Sequence, residues 1–471
     1  MPYSVIESFG AGLDRRKSRE IGVPGSLWEL TNAHINAGGE IEKRKKFDDY
    51  AMLPTNTFGL QSNGTNLYVF GSAAPPTMPA GVLYQQLSHP SAFSMSDVLD
   101  SSMFAGKLYA IAKYVDGSIH HFYDGVRLAD WDGGANLPTG KGVYCRTFGN
   151  KVYSLYSTIA QYCKLNDPTE WDTTTLGAGF NDLSNTDDEV GELMAVVPYQ
   201  ELVAFLSRNL IQVWNIDVDP TLNERKMSVG NTGTVAKRSA IPLGNSDIVY
   251  LADSGIRSLR ARDSQNLASV EDIGTAIDEL VKADLRTLSS TIVEGACSAV
   301  EPTDNRLMVA LGNTIYAFSY FRSSKISAWS TYDMGAQVKR WQVHKRGLYA
   351  RVGDTVKIYG GVNKNTYDTT AEDNYPVTVS TPFMSFGRVA DDKVITGYDL
   401  GSVTGTWDVY LLHDPRDANR YTKLGSVSEI TTVMRQLAAS GRSTQFALKL
   451  VNTTPGAAKI GNLIVHYELD R

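Results

Sequence analysis

What this sequence lacks narrows its possibilities first. Its three cysteines, Cys145, Cys163 and Cys297, are odd in number, far apart and without a CxxC pair, which argues against a disulfide framework and against a structural zinc site. They read as small buried apolar residues of a reducing compartment. No apolar run approaches the ~18 residues of a membrane-spanning helix. The opening MPYSVIESFGAGLDRR has no apolar signal-peptide core, so the expectation is a chain made and assembled in a cytoplasm. Excess positive charge is missing as well: 45 Lys+Arg against 51 Asp+Glu leave a formal net charge of −6, unlike a surface built to grip nucleic acid or an anionic membrane. HExxH, GxSxG, GxxxxGK[ST], an EF-hand loop and a GxGxxG that opens a helix are all absent. Their absence does not exclude an enzyme whose acids come from separate loops.

What is present is β-sheet chemistry. The 41 Gly, the 24 Tyr and the many Thr and Val favour an all-β chain, since branched and aromatic side chains suit a pleated surface. Short runs of such residues recur at 66–72, 107–125, 151–165, 201–216, 247–259, 305–321 and 347–361. Most consist of a strand, a small polar corner and a second strand. The corners Asp116-Gly117, Ser254-Gly255, Gly312-Asn313 and Gly353-Asp354 supply the positive φ that tight hairpin turns require. Successive runs start about 40 to 58 residues apart, the repeat of propeller blades with about four strands each. Six to eight blades are expected, and an early strand is available to complete the last blade.

One helical pattern interrupts the repeat. In 275–288, Ile277, Leu280, Val281, Leu285 and Leu288 fall on one face, and Thr275 with Asp278 resembles a capping box. The stripe buries against a blade edge or a neighbouring subunit. After 362 a polar, turn-forming linker leads to runs at 376–387, 393–403, 406–414, 445–452 and 460–469. These alternate cleanly between apolar and polar, as in a sandwich with one wet face per sheet. The expected plan is an arm over 1–55, a propeller over 56–365 and a C-terminal β-sandwich over 366–471.

Candidate chemical residues read mostly as scaffold. His120 and His121 are strand neighbours that point to opposite faces and cannot share a metal. Asp217 with Asp219, and Asp167 with Glu170, sit in proline-containing turns and read as solvated turn carboxylates. Trp131, Trp171, Trp214, Trp329 and Trp341 lie near blade ends, either as a carbohydrate platform or as repeated packing positions, and packing is the favoured reading. The mixed-charge clusters 15–19 (RRKSR) and 40–49 (EIEKRKKFDD) suit solvated or subunit-interface faces better than a nucleic-acid patch.

Segments 9–47 (GLDR, PGSLWELTN and GGEIEKR elements) and 209–281 (QVW, DVDP and GNTGTV elements) resemble tail nozzle, or tail tubular B type, proteins of short-tailed bacteriophages. A final IGNLIVHYEL strand is of a kind common in virion proteins. DVDP stands where the family has a DPDP-like turn, and RKKF where it more usually has R-x-G-F. The resemblance implies a virion protein that forms a six-membered ring below the portal and adaptor rings. It closes the head and channels DNA without binding it specifically, and has no catalytic residue, metal or cofactor. Tail fibres or spikes are further partners it allows.

Net negative charge agrees with that role. A bore making 6 to 10 phosphate contacts per copy would bind DNA with an affinity that changes about 10³- to 10⁵-fold between 50 and 200 mM salt, whereas six copies at −6 each carry −36 formal charges. On this reading Leu13, Arg15, Arg16, Leu27, Trp28, Leu30 and Arg44 form a partner interface, and deleting residues 1–50 would leave a folded propeller that no longer joins the adaptor. The alternatives are a receptor-binding propeller with an exposed aromatic pocket, or a propeller glycoside hydrolase with two carboxylates about 5 to 10 Å apart.

Overall fold

The structure, a computed structural model, describes residues 2–128, 142–173, 177–185, 191–217, 219, 222–244, 247–260, 272–386, 391–417, 419–428, 435–436 and 442–469. Among these residues, seven blades follow one another along the chain. Blade one holds Phe58–Ser62, Leu67–Gly71 and Val82–Gln86; blade two holds Met95–Phe104, Lys107–Tyr114, Ile119–Tyr123 and Val126–Arg127. Blade three holds Tyr144–Phe148, Lys151–Tyr156, Ile159–Tyr162 and Gly179–Asp182; blade four holds Leu193–Tyr199, Leu202–Ser207, Leu210–Asn215 and Glu224–Gly230. Blade five has Ile241–Leu243, Asp247–Ala252 and Gly255–Ser258; blade six has Cys297–Glu301, Arg306–Leu311, Thr314–Phe321 and Ile326–Asp333. Blade seven has Arg340–His344, Gly347–Val352 and Thr355–Tyr359, and its fourth strand is the early segment Phe47–Met52. The first strand of each blade adjoins that of the next, and Arg340–His344 returns to Phe58–Ser62, which closes a seven-bladed propeller.

The recurring apolar runs are the middle strands of the blades. A middle strand is covered on both faces by neighbouring blades, so it reads as an unbroken apolar run rather than an alternating one. Arg306–Leu311 and Leu202–Ser207, for example, are buried almost throughout. The two-residue corners Gly312-Asn313 and Gly353-Asp354 fall where expected. The corner after Ala252 does not: Ala252 pairs with Gly255, so the turn is Asp253-Ser254 and Gly255 opens the next strand. Gly255 still has φ +123°, and a Cβ there would strike the Asp278 carboxylate.

The helical segment packs beside Gly255–Ser258, at the outer side of the three-stranded blade five. It begins as a tight turn, Thr275–Ile277, and continues as the helix Asp278–Thr287; a second short helix, Ser290–Glu294, follows. Ile277 and Val281 are fully buried, with Leu280, Leu285 and Leu288 packed beside them. The expected capping box does not form. Thr275 Oγ1 donates back to Asp272 O at 2.8 Å, and the Asp278 carboxylate is taken by Arg257 at 2.7 and 2.8 Å. Arg257 is buried.

The first 46 residues are not a separate arm. Tyr3–Ile6 pairs with the final strand Asn462–Leu469, which in turn pairs with Lys393–Gly401. Glu29–Thr31 lies between the outer strand of blade six and Val377–Ser380, which leads on to Ala447–Asn452, Trp407–Leu412 and Tyr421–Val427. Ile41–Lys43 pairs with Lys459–Ile460. The C-terminal strands alternate buried and half-buried positions, as a sandwich requires, and residues of both sheets share one core with the arm and with blades five and six. Cutting at residue 50 would strip the closing strand of blade seven and open this core, so a folded truncated propeller is not the expected product. The three cysteines are buried and free.

Candidate functional site

Two regions carry the features on which function can rest: the propeller's central channel, and the seam where arm, helix and sandwich meet.

Two arginines meet in the channel. Met95–Phe104 carries a bulge between Val98 and Asp100, and a bulge turns backbone groups out of the ladder. The freed Leu99 carbonyl accepts hydrogen bonds from Arg238 Nη2 and from Arg340 Nη2, which also donates to Val98 O at 2.6 Å. Two like charges thus converge on one oxygen. Burial first, and then the Arg238 charge, pull the Arg340 guanidinium down to about 9, still protonated at neutral pH. The pair lines both a cavity of about 460 Å³, whose lining includes Asp97, Lys339 and Arg351, and one of about 310 Å³ that reaches Asp100, Arg146 and Trp341. The channel carboxylates are engaged: Asp97 accepts Val98 N–H at 2.8 Å, and Asp100 accepts Cys145 N–H at 3.1 Å and faces Arg238 Nε at 3.7 Å.

At the seam, the structure divides the residues nominated from sequence. Leu13, Leu27 and Leu30 are core, between 0% and 1% exposed, so they hold the arm down and offer nothing to a partner. Arg44 is buried: Nε donates to Asn32 Oδ1 at 2.9 Å, Nη2 to Asp333 O at 3.1 Å, and the guanidinium stacks 3.8 Å from the Tyr375 ring. Beside it the Lys43 ammonium pairs with Asp368 at 2.7 Å with both side chains out of water. Lys43 and Arg44 of the 40–49 cluster therefore form an internal joint, while Asp48 and Asp49 remain on the solvated face expected of it. Arg15 lies 3.8 Å over the half-buried Trp28 ring, and Arg16 pairs with Asp14 at 2.8 Å on the surface.

Besides Tyr3, which is 64% exposed, the arm exposes the loop 16–24, in which Ile21 is 66% and Val23 51% exposed. Sequence reasoning passed over these two; the signal was IGVP, apolar residues held by Gly and Pro outside any strand pattern. Next to Arg15, a notch of about 380 Å³ is lined by residues including Glu29, Asp284 and Tyr316.

Other candidates resolve into scaffold. His121 is bonded to Tyr109 Oη at 2.8 Å and Gly142 O at 3.0 Å, while His120 packs against His89 and Tyr114. No group of three or more metal-ligating side chains occurs among the described residues. Asp217 accepts Asp219 N–H, Asp167 accepts Thr169 N–H and Glu170 accepts Asp172 N–H, all local turn bonds. Trp171 and Trp329 are fully buried, Trp214 is buried and Trp341 is partly so. They occupy a loop and a fourth, a third and a first strand respectively, so they pack the core but do not mark a repeated position. Trp131 lies outside the described residues.

No family model matches this sequence, and no curated protein matches it. Among solved structures the chain is similar to the WD40 β-propeller domain of Doa1, at 8% identity and a TM-score of 0.35, over 78% of this chain and 99% of that one. It is also similar to PorZ, described as an essential bacterial surface component of the type-IX secretion system of Porphyromonas gingivalis, at 13% identity and a TM-score of 0.36, over 80% of this chain and 46% of that one. The propeller assignment rests on the strand pairing and the closed ring.

Proposed function

We propose that this chain is a structural subunit, not an enzyme, of the tail nozzle of a short-tailed bacteriophage. In this reading six copies form a ring below the adaptor, within the virion, and pass DNA without specific contacts. One observation carries the reading. The segments that resemble the nozzle family, 9–47 and 209–281, lie far apart in sequence yet share one core: Phe9, Leu13, Leu27 and Leu30 pack with Val235, Val249, Ile256, Ile277 and Val281. Arg15 N–H donates to Ala276 O at 2.7 Å across the same contact. A shared set of motifs that meets in one joint is a structural unit, and the joint fixes the angle between propeller and sandwich.

Two further features agree. Arg238 and Arg340 reach into the propeller's own channel, and in this reading the conduit for DNA lies between copies. A formal charge of −6 per copy lets a polyanion slide past. The surface suited to the adaptor or a neighbour is the exposed loop 16–24 with Ile21, Val23 and Arg16, in place of the buried leucines.

The test is electron microscopy of purified particles with an antibody or tag on this chain. The expected picture is label in a six-fold ring on the tail, directly below the head. Label confined to fibre tips, or no label on particles that contain the chain, would remove the nozzle reading.

A further inference from the structure

The channel holds more positive charge than it neutralises. The larger cavity is lined by four cationic side chains, Arg238, Lys339, Arg340 and Arg351, against two carboxylates, Asp97 and Asp354. Arg351 is accounted for: it donates to Gly59 O at 2.8 Å, Thr57 O at 2.5 Å and Gly353 O at 3.1 Å, and reaches Asp354 at 3.5 Å. That leaves Arg238, Arg340 and Lys339 with two carboxylates, Asp97, one of whose oxygens is held by Val98 N–H, and Asp100, which ion-pairs with Arg238. Arg238 Nε is buried without a hydrogen-bond acceptor, and the nearest carboxylate oxygen, on Asp100, is 3.7 Å away.

A guanidinium carries five donors in a fixed fork that matches a tetrahedral oxyanion, and a buried donor left unmade costs the full desolvation of that group. Two guanidiniums held on one carbonyl by a strand bulge are preorganised rather than mobile. We propose that the cavity beside Arg238 and Arg340 binds a compact dianionic oxyanion of the phosphate class, with Lys339 at the mouth as a third cationic contact. The ligand ties blade two, through the Leu99 bulge, to blade seven and to the Arg238 segment ahead of blade five, and so stabilises the ring against opening. This site does not rest on the nozzle reading: a chain that proves to be something else keeps it.

The test uses the full chain. Thermal unfolding and titration calorimetry are run with inorganic phosphate, with a nucleoside 5′-monophosphate, and with chloride at matched ionic strength. The expected result is a saturable rise in Tm with phosphate and none with chloride, because a ligand that binds only the folded state stabilises it by mass action. Binding of both phosphates points to an esterified ligand, and binding of inorganic phosphate alone to the free ion; either supports the site. Arg238→Gln should weaken binding about tenfold or more through the loss of a charge-assisted fork. Lys339→Gln, at an exposed position where folding is not at issue, should weaken it by a smaller factor. A phosphate effect no greater than that of chloride, or an affinity unchanged in Lys339→Gln and in any Arg238→Gln protein that folds, would overturn the proposal.

Discussion

The propeller and the platform beside it are both made of β-sheet, yet they are assembled on opposite principles. Within a blade, each strand pairs with the next in sequence, as Leu202–Ser207 does with Leu210–Asn215, except where the early strand Phe47–Met52 closes blade seven. The platform pairs the two ends of the chain, Tyr3 with His466 and Ile41 with Ile460. Local pairing closes short loops at little entropic cost, whereas end-to-end pairing must recover the entropy of closing nearly the whole chain. The difference shows in what the buried charges join. Blades bury charges on near neighbours in sequence, as Arg306 does on Ser319 Oγ and Arg257 on Asp278, whereas Lys43 and Arg44 tie the arm to Asp368 and Asp333 across most of the chain.

The sharpest break of that comparison is at Lys43. Its ammonium is wholly buried on Asp368 and also donates to Thr454 O at 3.1 Å. Lys43→Met leaves a buried carboxylate unpaired and should cost about 3 to 5 kcal/mol, read by urea unfolding. Lys43→Met with Asp368→Leu should recover much of that loss. A change at the exposed Lys107–Asp124 pair of the propeller, where water screens both charges, should leave the unfolding curve where it is. If both single changes shift it equally, burial does not give the Lys43 joint its weight.

The same contrast explains what was legible in the sequence. The middle strands were visible because burial on both faces makes them continuous apolar runs with glycine at or beside the corner. The inner strand Arg340–His344 faces the channel and the outer strand Glu224–Gly230 faces solvent, so neither shows an apolar run, and the blade count stayed open between six and eight. In the arm, Gly12–Leu13, Ser26–Leu27 and Glu29–Thr31 are two or three residues long, too short to show a period, and their leucines read as a docking face when they are core. Arg238 and Arg340 sit in the ordinary contexts AKRSA and VKRWQ. Only closure of the ring brings them together.

A middle-sized effect sharpens the comparison within the propeller. Gly255 and Gly117 both have positive φ, +123° and +85°, but a Cβ at Gly117 meets nothing, whereas one at Gly255 meets the carboxylate that binds Arg257. Gly117→Ala should cost about 1 kcal/mol, from backbone conformation alone. Gly255→Val should cost more, about 1 to 3 kcal/mol, because backbone strain and displacement of Asp278 add. Equal losses in chemical denaturation would mean that the helix yields freely and does not brace blade five.

The smallest expected effect lies at the seam itself. Asp284, near the C-terminal end of the helix, accepts the Tyr316 O–H at 2.7 Å. Burial raises its pKa, opposed in part by that hydrogen bond, and the negative end of the helix dipole also disfavours its charge. The folded state therefore holds this proton more tightly than the unfolded chain does. Its contribution to stability is fullest below the ordinary carboxyl value near 3.9 and drains away as pH rises through the higher folded value. Asp284→Asn keeps an acceptor for Tyr316 and removes the charge. The variant should gain slightly on the parent protein as pH rises from about 4, with the gain levelling off by neutrality. A difference independent of pH would show that the carboxyl is not shifted on folding, and a variant that loses on the parent as pH rises would show that the carboxylate stabilises the seam in its charged form, as the buried ion pair at Lys43 does.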